Sequence, residues 1–193
     1  MNTRNNKRFK ETEEKIRDAL LNRLGDQDLH DVTVGDICRD AGVNRSTFYA
    51  HHDSPESLLE AMEDDISQQL VDVFETSGDE STSYRDRYLK PYLYFVMAHK
   101  AFYRAYFRNS STYHYKQKML DVARRPFLNQ LRHLEEQSVR VQLTLTYYTA
   151  GIHSLIRDWV NRDFCVPPDE LAEILLHAIY HTSLIVAETE KAS

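Results

Sequence analysis

Glycine and proline are scarce in this chain, five of each in 193 residues, and the shortage excludes loop-rich and all-β architectures built on tight turns. Cysteine is scarcer still. Cys38 and Cys165 have neither metal-ligand spacing nor the density of a disulfide scaffold, so both read as buried free thiols. Long apolar runs are missing as well: the longest uncharged one, Tyr92 to Ala98, falls far short of the roughly 20 residues a membrane span needs, and the polar N-terminus has no signal-peptide core. A cytoplasmic protein without a membrane partner is expected. The chain also lacks a Gly-rich phosphate loop, a G-x-S-x-G elbow, an H-E-x-x-H motif and a Cys and His pair with an orienting partner. Neither catalysis, nor a cofactor, nor a resident metal is expected.

What is present, 41% hydrophobic and 28% charged residues in a chain of this length, suits an all-α protein of one extended or two small domains. The net charge of −6 opposes binding to phosphates, which is driven by Lys and Arg releasing counterions. Its distribution matters more. Residues 1–11 form a short arm carrying Arg4, Lys7, Arg8 and Lys10, with no acid in the first ten positions. Such an arm either reaches for nucleic acid or is a solvated tail.

Apolar spacing and caps then divide the chain. Thr12 can cap a helix whose stripe is Ile16, Ala19, Leu20 and Leu24, ending at Gly25. Thr33 to Asp36 has the form of a capping box, opening a short helix with Ile37, Cys38 and Ala41 inward and Gly42 at its end. Asn44 can cap the next, from Arg45 to about His51. Ser54 followed by Pro55 starts a longer helix with Leu58, Leu59, Met62 and Ile66. This predicts a compact reading domain over 12–53, a connecting helix over 54–75, a polar linker over 76–83 and a helical domain over 84–193, with about nine helices in all. In the last part, Pro91 and Pro126 interrupt helical stripes, the second of them Leu120, Ala123, Phe127, Leu131 and Leu134. Two final helices, from about Arg140 to Arg162 and from about Pro168 to Thr189, are apolar on more than one side.

The two short helices joined through Ala41, Gly42, Val43 and Asn44 have a helix-turn-helix layout. Phe48 would point into the core. Arg45, Ser46, Thr47, Tyr49 and His51 would stay on or near the outer face, where Arg can fork onto guanine and hydroxyls can bond phosphate. An Ala-Gly-Val turn alone also occurs in helical proteins that bind no DNA.

Residues Thr33, Val34, Ile37, Ala41, Gly42, Val43, Thr47, Phe48, Tyr49, His51, Ser54 and Leu58 stand in register with a pattern: T-hydrophobic-x-x-I-A-x-x-A-G-V-x-x-x-T-hydrophobic-Y-x-[HY]-F-x-[SND]-K-x-x-L. The chain thereby resembles the DNA-binding domain of TetR/AcrR-family regulators, specifically over Thr12 to Leu59. The resemblance implies that Thr33, Thr47, Tyr49 and His51 touch the DNA backbone and that Arg45 and Ser46 read bases. Three positions depart from the pattern. Cys38 stands for the usual Ala, His52 for Phe and Pro55 for a phosphate-contacting Lys. His52 reads as a packed or capping side chain, and the arm around Arg4, Lys7 and Arg8 is expected to compensate for the missing Lys.

The resemblance further implies a homodimer joined through the last two helices, with operator half-sites roughly 34 to 36 Å apart or a multiple of that. Leu155, Trp159, Ile174, Ala178 and His181 are the expected interface residues. The aromatic residues Tyr92, Phe95, Phe102, Tyr103, Phe107, Tyr147 and Trp159 are candidate walls of an effector site between the domains, for a small and partly apolar molecule, although such stripes also build plain core. His177 and His181, four apart, could share a metal, but packing is the favoured role. The expected function is a ligand-responsive transcription regulator, with repression the commoner direction. The alternative is a helical interaction protein that has lost DNA binding.

Overall fold

The computed structural model describes residues 3–78, 81–108 and 139–178, and these are helices and the turns between them. Helix α1 is Thr3–Asp26, so it begins at Thr3 and not at Thr12. Nothing in residues 3–11 breaks a helix, and the Thr12 hydroxyl donates back to the Arg8 carbonyl (2.9 Å) instead of capping. The expected arm is thus the first turns of α1. Its stripe of Ile16, Ala19, Leu20 and Leu24 is buried as the spacing predicts.

After a 3-10 turn at Leu29–Asp31, helices α2 (Val34–Ala41) and α3 (Arg45–Tyr49) form the helix-turn-helix. Thr33 and Asp36 make the predicted capping box, with the Asp36 amide donating to Thr33 Oγ1 at 3.1 Å. Gly42 closes α2 in the left-handed region, φ 65°, where a side chain is disfavoured. Asn44 Oδ1 accepts from the Thr47 amide at 2.7 Å and so starts α3. Helix α4 (Pro55–Thr76) opens on reciprocal bonds between Ser54 and Ser57, in which the Ser57 amide donates to Ser54 Oγ (3.2 Å) and the Ser54 amide to Ser57 Oγ (3.0 Å). Pro55, buried at the first helical position, has no N–H that would need a partner there.

A π-helical turn at Arg85–Leu89 precedes α5 (Lys90–Ala98). Pro91 explains it: proline gives no N–H to the carbonyl of Arg87 and crowds it, so the turn widens and the Lys90 amide bonds back to Arg85. Pro91 therefore sits just after the irregularity. Helix α6 (Lys100–Arg108) follows, then α7 (Val139–Asn161) and α8, helical over 168–178. The expected helix around Leu120 to Leu134 lies outside the described residues, as do His181 and everything after 178.

Packing divides the molecule inside α4. One unit contains α1 to α4 as far as Ile66, together with α6; the other contains α4 from Ser67, α5, α7 and α8. In the first, Arg108 of α6 donates to the carbonyls of Gly25 and Asp26, capping the end of α1, and Phe102, Tyr103 and Phe107 are buried. In the second, Lys90 and Tyr94 both reach Asp169 (2.7 and 2.8 Å), tying α5 to α8.

Several sequence expectations change here. Trp159 is buried, donates its indole N–H to the Val166 carbonyl (2.9 Å) and meets Phe164 edge-on, so its indole is committed to the turn after α7. That turn needs the support, because Asp163 and Phe164 both take positive φ. Tyr147, expected in a pocket wall, is 74% exposed. Cys38 is buried, but Cys165 is exposed.

Candidate nucleic-acid interface

The reading head is built from α3 upward. Phe48, fully buried, anchors the helix, and the residues flanking it face outward: Arg45, Ser46 and Tyr49 are exposed, Tyr49 by 54%, and Thr47 is half-buried. Their side chains differ in what they have left to offer. The Ser46 hydroxyl donates to Asn44 Oδ1 (2.7 Å), so Asn44 holds both the start of the helix and the neighbouring side chain. Among the described residues no hydrogen bond or ion pair engages the Arg45 guanidinium, the Thr47 hydroxyl or the Tyr49 hydroxyl. Arg45 lies against the start of α2, where a side chain at Gly35 would come within 3.2 Å of its guanidinium.

Thr33 is exposed but occupied. Its hydroxyl bonds Asp36 Oδ2 at 2.6 Å, which together with Arg39 (2.6 Å) holds the Asp36 carboxyl at about 2. Asp36 is consequently ionised at neutral pH, with Arg39 at its side offsetting the charge. Asp40 is held low in the same manner by Arg23.

His51 departs from its expected place on the outer face. Its side chain is only 3% exposed; Nδ1 bonds Glu13 Oε2 (2.8 Å) and the ring stacks on Phe9 with centroids 3.7 Å apart. His52 also reaches Glu13 (2.9 Å to Oε1), which explains a histidine where the pattern has Phe: an apolar ring could not bond this carboxylate. Glu13 further accepts from Arg17 Nε (2.6 Å), and Arg17 reaches Asp65 of α4 (2.6 Å). Burial alone would raise the Glu13 carboxyl, but bonds from Arg17, His52 and His51 outweigh it and hold the group below its ordinary value. One carboxylate on α1 thus clamps the end of α3, and through Arg17 joins both to α4.

Phe9 and Glu13 are not among the site residues the sequence points to, because their partners His51 and His52 stand some forty positions away. The spacing of four between them, on a helix extended to Thr3, is the signal that finds them. Arg8, Phe9 and Thr12 form one side of an open groove of about 370 Å³, whose other side is Ser46, Thr47, Ala50 and His51. Lys7 is exposed, in a loose 3.8 Å pair with Glu11, and the Arg4 side chain falls outside what is described.

Residues 16–62 match the family described as bacterial regulatory proteins, tetR family, and residues 84–181 match a transcriptional regulator C-terminal region of TetR type. The chain belongs to the TetR family of transcriptional regulators. Its described residues are helical, with the family's helix-turn-helix as α2 and α3. Among relatives of this TetR-family chain is the uncharacterized HTH-type transcriptional regulator YxbF of Bacillus subtilis, 22% identical over 165 residues. That match covers 83% of this chain and 43% of YxbF, so the chain spans less than half of the relative's length. A tetR-family transcriptional regulator from Streptomyces coelicolor has the same fold, with TM-score 0.70 and 20% identity over 95% of this chain and 85% of that one. The fatty acid degradation regulator FadR from Bacillus halodurans does too, with TM-score 0.66 and 16% identity over 87% of this chain and 94% of that one. No helix among the described residues of this TetR-family chain is long and apolar enough to cross a membrane.

Proposed function

We propose that the chain is a ligand-responsive repressor that binds a roughly palindromic operator as a homodimer. The observation that carries the DNA-contact part is the outer face of α3, where Arg45, Thr47 and Tyr49 offer polar groups with no partner among the described residues, next to Arg8 across the groove. Arg45 and Ser46 read base edges. Thr47, Tyr49, Arg8, Lys7 and Arg4 meet the phosphates, and Thr33 and Asn44 set the starts of the two helices. His51 acts through Glu13, holding α3 on α1.

The homodimer is supported by an uncovered apolar stripe. Val139, Leu143 and Tyr147, spaced by four along α7, are 67%, 65% and 74% exposed, and Ile174 of α8 is 46% exposed. Burying side chains of this size contributes about 1.5 to 3 kcal/mol each, so a second copy is the natural cover.

The test is protection from cleavage of DNA upstream of the chain's own reading frame. Wild type should protect a two-fold-related site, and Arg45→Ala and Tyr49→Ala should each weaken binding about tenfold or more. Arg8→Ala should flatten the dependence of log affinity on log salt by roughly one unit. Absence of wild-type protection at low salt, or variants that bind like wild type, would favour a helical interaction protein instead.

A further inference from the structure

The second unit contains a cation, Arg87, with no acidic partner among the described residues. On the segment leading into α5, Arg85 pairs with Asp86 (3.2 Å) and Glu173, and Lys90 pairs with Asp86 (3.4 Å) and Asp169 (2.7 Å). Arg87 lies between them in sequence. Among the described residues it has no carboxylate, its Nε is buried without an acceptor, and its guanidinium carbon sits 5.3 Å from the centre of the Tyr88 ring. A guanidinium is a planar cation whose donors are set to fork onto an acceptor. Such a group, partly withdrawn from water and unpaired, is electrostatically incomplete.

Its surroundings are aromatic. The Tyr88 ring meets Tyr84 (5.4 Å) and Phe74 (5.6 Å), and Phe74 meets Tyr92 (6.4 Å). Burial pushes the phenols of Tyr84 and Tyr92 far above their ordinary range, so both stay protonated. Yet both residues keep accessible surface, and no hydrogen bond engages either hydroxyl among the described residues. Their accessible surface leaves both residues able to touch a small molecule. Ser67, two helical turns before Phe74 on the same face of α4, also has a buried hydroxyl without a partner.

We propose that this region binds an organic monocarboxylic acid, its carboxylate forked by Arg87 and its apolar or aromatic body laid on Phe74, Tyr88 and Tyr92. The proposal rests on the ligand-responsive reading above and names the chemical class of the ligand. One guanidinium balances one negative charge, and aromatic walls solvate a dianion such as a phosphate monoester poorly. A carboxylate accepts about four hydrogen bonds. The fork of Arg87 supplies two, and the neutral hydroxyls of Tyr84, Tyr92 and Ser67 are donors of the right kind for the rest.

The test is calorimetric titration of the full-length protein with decanoate and 1-naphthoate, each against its neutral amide. At least one acid should bind with micromolar affinity, at least thirtyfold more tightly than its amide. Arg87→Gln should weaken acid binding by a similar factor while leaving amide binding unchanged, and Arg87→Lys should fall between. Equal binding of acid and amide to wild type, unchanged acid binding by Arg87→Gln, or no binding of either acid overturns the proposal; the wild-type comparison needs no variant to fold. Mobility shifts on the upstream DNA separate this from the broader reading. If an acid binds through Arg87 and leaves DNA affinity unaltered, the site stands and the ligand-responsive reading falls. If neutral compounds release the DNA and acids do not, that reading stands and the acid site falls.

Discussion

Glu13 shows how one side chain sets the reading head. Its carboxylate receives two imidazoles and a guanidinium at 2.6 to 2.9 Å, from positions on both sides of the helix-turn-helix. Glu13→Gln keeps the shape and removes the charge. Hydrogen bonds to charged groups contribute about 1.5 to 3 kcal/mol each, and an amide retains part of each, so a net loss of about 1 to 3 kcal/mol is expected at pH 7. The folded protein holds this carboxyl below its ordinary value of 4.5. Its contribution is therefore complete above that pH and is lost as pH falls through the lower, folded value. Urea titrations at pH 7 and pH 3 should show the difference between wild type and Glu13→Gln shrinking with acid. Equal stability at both pH values would mean that the clamp contributes nothing.

At the scale of elements, α3 is five residues long and cannot hold itself together as an isolated helix. It depends on Asn44 in front and on the turn before it. Asn44→Ala removes the bond to the Thr47 amide and should lower stability by about 1 kcal/mol. Gly42→Ala meets nothing within 4 Å, so its cost, about 1 to 2 kcal/mol, comes from the left-handed backbone alone. Urea unfolding measures both. Adding Asn44→Ala should also weaken DNA binding beyond what the stability change explains, because Asn44 positions Ser46; DNA affinity measured well below the unfolding midpoint decides this.

For the whole molecule, the decisive variant is Leu143→Glu on α7. Leu143 is already exposed in the single chain, so the change should leave the folding of one subunit nearly untouched. It places a charge where the second copy is proposed to sit. Sedimentation at micromolar concentration should give a dimer for wild type and a monomer for the variant, and the variant should lose most of its operator affinity because two reading heads no longer act together. A wild-type monomer would remove the proposed pairing.

Local chemistry alone punctuates the reading domain. Thr33 with Asp36, Gly42, Asn44, and Ser54 with Pro55 all act through hydrogen bonds or backbone angles within three or four residues, so their roles are written locally. The apolar stripes of α1 and α4 were legible for the same reason, since a period of 3.6 residues needs no distant partner. Long-range packing, in contrast, sets where the ambiguous side chains go. Helical spacing cannot tell that His51 and His52 turn toward a carboxylate some forty positions earlier, that Trp159 folds onto its own turn while Tyr147 stays outside, or that Arg87 meets no acid among the described residues while its neighbours do. Each outcome depends on which residues, far apart along the chain, are brought within about 3 Å for a polar bond or 4 to 7 Å for a ring contact.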